Sequence, residues 1–293
     1  MEFIMKIDLE DRRKSLGGSD IAPILDISQF KTKYEVYEEK VNGVFKDLSE
    51  NNSVIWGNLL ETVVAKRYEQ VTGDKIYFPE EKYTHKDYPF LTGHPDALLL
   101  DEKVGLEIKT ASERNKHLWG DSGTTEIPEY YYPQIIHYMS VLDYDRWDLA
   151  VLIGGNDFRI YSFERDRGAE DAINEQSIKF WEEHIVKKVP PPISSYDSNM
   201  CDLFKRKYKG INGETVNLDD SFIGLFDDYE ALGRVIKHSQ DDLDEIKARI
   251  FEALGEASAG VLSDGRQFVR KEVSRKGFVV KPSKFVTLSL KKG

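Results

Sequence analysis

The sequence holds very little cysteine: Cys201 is the only one among 293 residues. A lone cysteine excludes an intramolecular disulfide and is typical of a reducing compartment. Cysteine and histidine nowhere cluster with the spacing of a zinc site. Apolar runs stay shorter than the ~18 residues that a membrane-spanning helix needs, and the N-terminal residues lack the apolar core of a secretion signal. These absences lead us to expect a cytoplasmic protein without a membrane partner.

Positive charge is also in deficit. Lysine and arginine total 41 against 52 aspartate and glutamate residues, which gives a formal net charge of -11. A protein that coats nucleic acid is usually basic, so this balance argues against that class. A nuclease remains compatible with the charge, because a local basic patch can contact DNA and bound divalent cations offset clustered carboxylates.

The most informative residues lie on a predicted β-hairpin, with strands over residues 96–100 and 104–110. Asp96 opens the first strand, and Glu107 and Lys109 lie in the second. Side chains alternate along a strand, so Glu107 and Lys109 share one face while apolar residues take the other. Two acids can bind divalent cations and a lysine can orient the attacking water, as a metal-dependent nuclease requires. An ordinary surface strand explains the hairpin alone equally well.

Two predicted helices flank this hairpin. One covers residues 53–72 and carries Glu61, and the other covers residues 130–142 and carries Gln134. Asn52 or Ser53 is expected to cap the first helix, whose predicted apolar face consists of Ile55, Leu59, Val63 and Val64. On its own helix, Glu61 is more typical of a solvated surface residue than of a site.

Near the N-terminus, a short helix is followed by Gly17 and Gly18, and a new helix is predicted to open at Ser19 or Asp20. Free backbone N–H groups at such a helix start favour an anion, including a phosphate. An ordinary helix cap at Ser19 is the more frequent meaning of this local pattern.

The remaining elements of the first two thirds of the chain alternate between strand and helix. Strands are predicted at 75–78, 90–93, 148–153 and 158–163, and helices at 32–42 and 168–187. Three prolines, Pro190 to Pro192, break the chain and predict a domain boundary. The predicted division is a core over residues 1–192 and an accessory region over residues 193–293.

The accessory region begins with residues 193–222, which are polar and predicted to be irregular. A charged helical stretch over 223–256 follows, and short strands are expected around 265–273 and 284–290. Apolar residues recur at helical spacing in the stretch. It therefore fits pairing with a partner or with itself, as well as a solvated accessory unit.

Six motifs in the first half of the chain occur in a recognisable order. They are Leu16-Gly17-Gly18-Ser19-Asp20-Ile21-Ala22, Lys31-Thr32-Lys33-Tyr34-Glu35, Trp56-Gly57-Asn58-Leu59-Leu60-Glu61, Gly93-His94-Pro95-Asp96, Leu106-Glu107-Ile108-Lys109-Thr110 and Pro133-Gln134-Ile135-Ile136-His137-Tyr138. Over about residues 10–165, the sequence resembles the YqaJ-type viral recombinase family, which includes the lambda-type phage alkaline exonucleases. These belong to the restriction-endonuclease-like PD-(D/E)xK nucleases.

The resemblance implies an α/β fold: a restriction-endonuclease-like core with a mixed central sheet flanked by helices, followed by a C-terminal helix-and-strand appendage. It also implies catalytic roles for five side chains: Glu61, Asp96, Glu107, Lys109 and Gln134. The implied metal ligands are Asp96, Glu107, the backbone carbonyl of Ile108, and Glu61 directly or through water. Two Mg²⁺ ions are expected, with Mn²⁺ as a substitute.

In the exonuclease branch of this family, the residues matching Arg12 and Ser19 hold the 5′-phosphate of the DNA end. Arg13 is the alternative to Arg12, because one step in register changes which side chain faces the site. His94 departs from the family pattern, which has a small residue there. We expect it to be a neighbour of the site rather than a ligand, because carboxylates suit magnesium better.

The function implied is a magnesium-dependent deoxyribonuclease in a bacterium or a phage-infected host. Its expected reaction is 5′-to-3′ resection of double-stranded DNA ends for phage-type recombination. The implied partners are a single-strand annealing protein and further copies in a closed ring, expected to be a trimer. Two alternatives stay open: an endonuclease or nickase with the same site, and a non-catalytic scaffold that binds DNA ends.

Overall fold

A computed structural model describes residues 9–274 of the chain. The chain divides into two compact units, the first ending at Lys207 and the second beginning at Tyr208. The first unit combines a five-stranded sheet with helices, and the second holds a long helix and a small hairpin. The expected α/β class, with a mixed sheet flanked by helices, is confirmed.

The five-stranded sheet forms the centre of the first unit. In spatial order its strands are β1 (Ile76–Tyr77), β4 (Ala97–Leu99), β5 (Val104–Ala111), β6 (Arg146–Ile153) and β7 (Asp157–Glu164). β5 and β6 are parallel, and every other neighbouring pair in this sheet is antiparallel. A parallel pair needs a crossover between its strands. The helix α5 (Tyr132–Leu142) lies in that crossover.

Both predicted hairpins are present, as the antiparallel pairs β4–β5 and β6–β7. The strand predicted over 90–93 does not join the main sheet. It is β3 (Thr92–Gly93), which pairs only with β2 (Tyr83–Thr84) in a separate two-stranded sheet. Gly105 in β5 has to be small, because a Cβ atom there would lie 2.3 Å from ring carbons of the buried Trp147.

The long helix α4 (Asn52–Thr72) packs on this sheet. Its cap is Asn51, whose side chain accepts hydrogen bonds from the backbone N–H groups of Ser53 and Val54. The predicted caps, Asn52 and Ser53, are therefore wrong. The predicted apolar face is also wrong in three of its four residues: Ile55, Leu59 and Val63 are exposed. The buried side chains of the helix are Val64, Ala65 and Tyr68.

A buried polar contact explains this choice of face. The hydroxyl of Tyr68 on α4 donates to Asp148 Oδ2 on β6 at 2.5 Å. Arg146 donates to the same carboxylate at 2.8 Å. Tyr68 and Asp148 are both buried. A buried carboxylate without partners is costly, so this network fixes which side of α4 meets the sheet.

At the N-terminus, α1 (Leu9–Arg12) precedes α2 (Gly18–Ile24). α2 begins before both of its predicted start positions, Ser19 and Asp20. Its cap is Gly17, whose N–H donates to Asp20 Oδ2 at 3.1 Å. Gly18 is required by packing, since a Cβ atom there would lie 2.8 Å from the ring of Tyr138.

The other helices of the first unit largely follow the predictions. α3 (Lys33–Tyr37) continues as a wide turn over Glu38–Asn42, and α6 (Arg167–Phe180) continues in the same way over Trp181–Val186. A short turn over Glu129–Tyr131 leads directly into α5. That turn borders the candidate site through Tyr131.

Residues 193–222 were predicted to be irregular, but part of this range is helical. The helix α7 covers Ser198–Lys207. Met200 and Leu203 are buried, and Arg206 and Lys207 pair with Glu35 and Glu38 at 3.4 and 2.7 Å respectively. These contacts carry the first compact unit beyond the three prolines. The division into a nuclease core and an accessory region stays a prediction.

The second unit contains α8 (Ser221–Leu254) and an antiparallel pair, β8 (Ala259–Val261) and β9 (Gln267–Val269). β9 falls within the predicted strand at 265–273, whereas β8 was not anticipated. The strand predicted at 284–290 lies outside the described residues. Among the helices that the structure describes, none is long and apolar enough to cross a membrane.

Candidate active site

The hairpin β4–β5 places Asp96 beside the second strand. Asp96 precedes β4 directly, and Ala97 pairs with Leu106 across the hairpin. The backbone N–H of Ile108 donates to Asp96 Oδ2 at 2.7 Å. The carboxylate of Asp96 is therefore held against β5, between the positions of Glu107 and Lys109.

Glu107 is almost completely buried, with 1% of its surface exposed. Its Oε1 atom accepts a hydrogen bond from Lys109 Nζ, in an ion pair on the same face of β5. Gln134 Nε2 on α5 donates to the same oxygen at 2.7 Å. Glu107 Oε2 is buried without a hydrogen-bond partner among the described residues. One oxygen is thus fixed by the protein, and the other is left for a ligand.

Two tyrosines, one just before α5 and one within it, border the same part of the site. Lys109 Nζ lies 5.4 Å from the ring centre of Tyr131, close enough for a cation–π contact. Gln134 Nε2 also lies 3.2 Å from the hydroxyl of Tyr138, which itself donates to the backbone carbonyl of His94 at 3.2 Å. Neither tyrosine was assigned a role from the sequence. Tyr138 does stand at the end of the motif that contains Gln134, which is the one signal that pointed to it.

Glu61 reaches the same region from α4. Gly57, one turn before it, faces β5: a Cβ atom there would lie 3.7 Å from Thr110 Oγ1. Glu61 is half-buried. Burial, followed by the charge of Asp96, raises the pKa of Glu61 to about 7, and Lys109 acts in the opposite direction. The helix therefore brings a third carboxyl group within electrostatic range of the hairpin.

The other ionisable groups of the site are perturbed in the same sense. Burial and then the neighbouring Asp96 raise the pKa of Glu107 to about 8, although Lys109 opposes the change. Burial also raises the pKa of Asp96. The pKa of Lys109 is raised, because the carboxylates of Glu107 and Asp96 outweigh the effect of its own burial. Burial is the largest cause of the raised pKa in all three acids, and repulsion by a neighbouring carboxylate adds to it in Glu61 and Glu107.

A divalent cation fits this donor set. Carboxylate and carbonyl oxygens are the ligands that Mg²⁺ prefers, and the unpartnered Glu107 Oε2 is such an oxygen. In the described part of the chain, no three His, Cys, Asp or Glu side chains converge closely enough to hold an ion by themselves. Asp96 and Glu107 would therefore need the backbone carbonyl of Ile108 and water. The catalytic and ligand roles of these residues stay predictions.

The predicted phosphate-binding residues lie at the end of α1 and the start of α2. Arg12 Nη2 donates to Ser19 Oγ at 3.2 Å. Arg13 turns elsewhere: its guanidinium donates to the backbone carbonyls of Lys40 and Val41 at 3.2 and 2.9 Å. The structure thus pairs Arg12 with Ser19 and uses Arg13 to hold the turn after α3. Binding of a 5′-phosphate by Arg12 and Ser19 stays a prediction.

A buried ion cluster supports this end of α2 and was missed in the sequence. Asp20 lies 2.9 Å from Lys31 Nζ and 2.6 Å from Lys40 Nζ. Burial would raise the pKa of Asp20, but the two lysines outweigh it and hold the pKa well below its usual range. The ionised Asp20 also accepts from the N–H of Gly17 and so fixes the helix start beside Arg12.

Comparison with known proteins identifies the class. The sequence profile of the YqaJ-like viral recombinase domain matches residues 9–145. The uncharacterized protein YqaJ of Bacillus subtilis (strain 168) is 31% identical over 258 residues, which cover 87% of this chain and 80% of that protein. The chain therefore belongs to the YqaJ-like viral recombinase family, and the resemblance expected from its motifs is confirmed.

Other similarities are more partial. Protein D345L of African swine fever virus (strain Badajoz 1971 Vero-adapted) is 30% identical over 147 residues, 42% of this chain and 41% of that protein. Among solved structures, the alkaline exonuclease LHK-Exo of Laribacter hongkongensis matches with a TM-score of 0.49 at 17% identity, covering 60% of this chain and 91% of that chain. A phage-related exonuclease from Haemophilus somnus 129PT matches with a TM-score of 0.44 at 16% identity, covering 60% and 96%.

Proposed function

We propose that this protein is a metal-dependent DNA nuclease, and that its main activity is 5′-to-3′ digestion of double-stranded ends. The observation that carries the proposal is the convergence of acids and a lysine from separate elements. Asp96 precedes β4, Glu107 and Lys109 share one face of β5, and Gln134 reaches Glu107 from α5. Glu61, on α4, lies within electrostatic range of both acids.

The chemistry follows from the charges. Hydrolysis of a phosphodiester builds negative charge on the phosphoryl and leaving oxygens. Divalent cations, when bound, supply charge that stabilises the attacking and leaving oxygens together. Asp96, Glu107 and the carbonyl of Ile108 would hold them, with Glu61 acting directly or through water. Two Mg²⁺ ions are proposed, and Mn²⁺ should substitute for them because it also binds oxygen ligands.

Lys109 is proposed to stabilise negative charge on the phosphate, and Gln134 is proposed to orient the carboxylate of Glu107. Lys109 adds a fixed positive charge beside the attacked phosphate, where water is partly excluded. Its contacts with Glu107 and the ring of Tyr131 restrict the ammonium group to one side of the site. Gln134 holds Glu107 Oε1 at 2.7 Å, which keeps the opposite oxygen turned toward the ligand position.

Exonuclease polarity is proposed from the Arg12–Ser19 pair. A guanidinium and a hydroxyl near a helix start are suitable donors to a terminal phosphate. Digestion from the 5′ end would leave a 3′ strand for a single-strand annealing protein. A homo-oligomeric ring, expected to be a trimer, would retain DNA without a basic surface, consistent with the net charge of -11.

The test is digestion of end-labelled linear duplex DNA in Mg²⁺, with and without a 5′-phosphate, beside covalently closed circular DNA. We expect nucleotide release from the phosphorylated 5′ end, a slower reaction without the phosphate, and no cleavage of circles. Cleavage of circles would show an endonuclease or nickase. Binding of ends without any nucleotide release, in Mg²⁺ or Mn²⁺, would instead show a non-catalytic scaffold.

A further inference from the structure

The second unit contains a helix whose apolar residues follow a seven-residue repeat. Starting from Phe222, steps of three and four residues along α8 lead through Phe222, Leu225, Tyr229, Leu232, Ile236, Ser239, Leu243, Ile246, Ile250 and Ala253. We call these positions the α8 seam. Ser239 is its one polar residue. A period of 3.5 residues is the signature of a helix that packs against another helix in a coiled coil.

Within the second unit, the described residues leave the α8 seam uncovered. None of the residues of α8 is buried, and Leu232 and Ile236 expose 63% and 70% of their surface. In the hairpin β8–β9, Gly260 lies against Leu254 at the end of the helix. A long helix draws most of its stability from covering its apolar stripe. Covering the seam therefore requires an apolar surface from outside the second unit.

The charges beside the seam indicate which helix fits. Each seven-residue repeat of the seam begins at Phe222, Tyr229, Ile236, Leu243 or Ile250. In a parallel, in-register coiled coil, the residue directly before each of these positions faces the residue five positions further along the other helix. Asp242 would then face Lys247 of a second copy, and symmetry would form this pair twice. The other flanking pairs are Ser221 with Phe226, Asp228 with Gly233, Val235 with Gln240, and Arg249 with Leu254. None of them brings like charges together.

We propose that α8 is a self-association helix, which forms a parallel, in-register coiled coil with α8 of another copy of this chain. Ser239, as the one polar residue in the middle of the seam, favours the register in which it meets its own counterpart. The proposal goes beyond the nuclease function and does not depend on it. It concerns residues of the second unit only, and it requires neither DNA nor metal.

Disulfide cross-linking tests orientation directly, because Cys201 is the only cysteine in the sequence. In the full chain with Cys201→Ser, we expect Ala253→Cys, on the seam, to give a covalent dimer on mild oxidation. Ala248→Cys, on the opposite face of the same helix, is the matched control and should stay uncross-linked. Failure of Ala253→Cys to cross-link, or linkage only between Leu225→Cys and Ala253→Cys chains, would overturn the proposal.

Solution mass provides the second measurement. Light scattering of the full chain should give a multiple of 33.7 kDa. Leu232→Asp with Leu243→Asp should weaken the α8-dependent association about tenfold or more, because each carboxylate would be buried in an apolar seam. Asp242→Lys should weaken it too, and adding Lys247→Asp should restore it. A monomeric wild type, or an assembly of unchanged mass in the double Asp variant, would refute the proposal.

The two proposals fail separately. Thermal unfolding of the first unit and binding of linear DNA serve as folding controls for the α8 variants. If the protein releases no nucleotides but Ala253→Cys cross-links, the nuclease proposal fails and the coiled coil stands. If it digests DNA as a monomer, the coiled coil and the ring both fail, and the nuclease activity stands.

Discussion

Replacing Glu107 with glutamine should make the stability of the protein less dependent on pH when metal is absent. Glu107 is buried, and burial together with Asp96 raises its pKa from 4.5 to about 8. A carboxyl group with a raised pKa binds its proton more tightly in the folded state than in the unfolded chain. Its contribution to stability is therefore present below about pH 4.5 and is lost as the pH rises through about 8.

The size of the effect follows from the same values. At about 1.36 kcal/mol per pH unit, this change in pKa corresponds to a loss on the order of 3 kcal/mol in unfolding free energy between about pH 5 and pH 8. Glu61, with its pKa raised to about 7, adds a loss of the same sign. Glutamine keeps an oxygen to accept from Gln134, so the variant removes the charge while retaining most of the contact.

The assay is urea unfolding in EDTA across this pH range, for the wild type, Glu107→Gln and the control Asp101→Asn. Asp101 is exposed in the turn of the same hairpin, so its variant should keep the wild-type slope. Glu107→Gln should lose roughly half of the slope, because Glu61 still contributes its part, and Mg²⁺ should flatten the wild-type profile more than that of the variant. An identical pH slope in the wild type and in Glu107→Gln would show that burial and Asp96 do not raise the pKa of Glu107.

Three further predictions concern other residues of the first unit. Lys109→Ala should bind DNA normally and cut it ~100-fold or more slowly, as measured by filter binding and single-turnover cleavage; equal loss of binding would contradict the role of its charge. Tyr68→Phe should lower the unfolding free energy by about 1–3 kcal/mol, because it removes a buried donor to a charged carboxylate; unchanged denaturation would contradict this. Arg12→Ala should abolish the preference for a 5′-phosphate, whereas Arg13→Ala should lower the melting temperature without altering that preference; the reverse pattern would assign the phosphate to Arg13.

Some of the fold and the site were predictable because their signals are local. Strand alternation over residues 104–110 is enough to place Glu107 and Lys109 on one face, and β5 has that face. The turn between β4 and β5 then fixes the distance between Asp96 and Ile108. The parallel pairing of β5 with β6 could not be read in this way, since it depends on how α5 crosses the sheet.

Other elements depend on contacts between residues far apart in the sequence. α7 is short, and one of its ion pairs joins Arg206 to Glu35, which is 171 positions away in the sequence. The buried cluster around Asp20 likewise needs Lys31 and Lys40, which reach it from outside α2. Neither arrangement has a signature in any single stretch of sequence.

The helix that carries Glu61 shows why its local pattern favoured a solvated residue, whereas the family resemblance implied a site residue. The apolar pattern of the sequence predicts that Ile55, Leu59 and Val63 face the core. In that orientation Glu61 would lie in solvent. In the structure, the Tyr68–Asp148 contact rotates the helix so that three apolar side chains face outward and Glu61 faces the hairpin acids. Local patterns are expected to fail where a site needs a side chain that packing alone would reject. The exposed apolar residues and the raised pKa of Glu61 are therefore two consequences of one helix orientation.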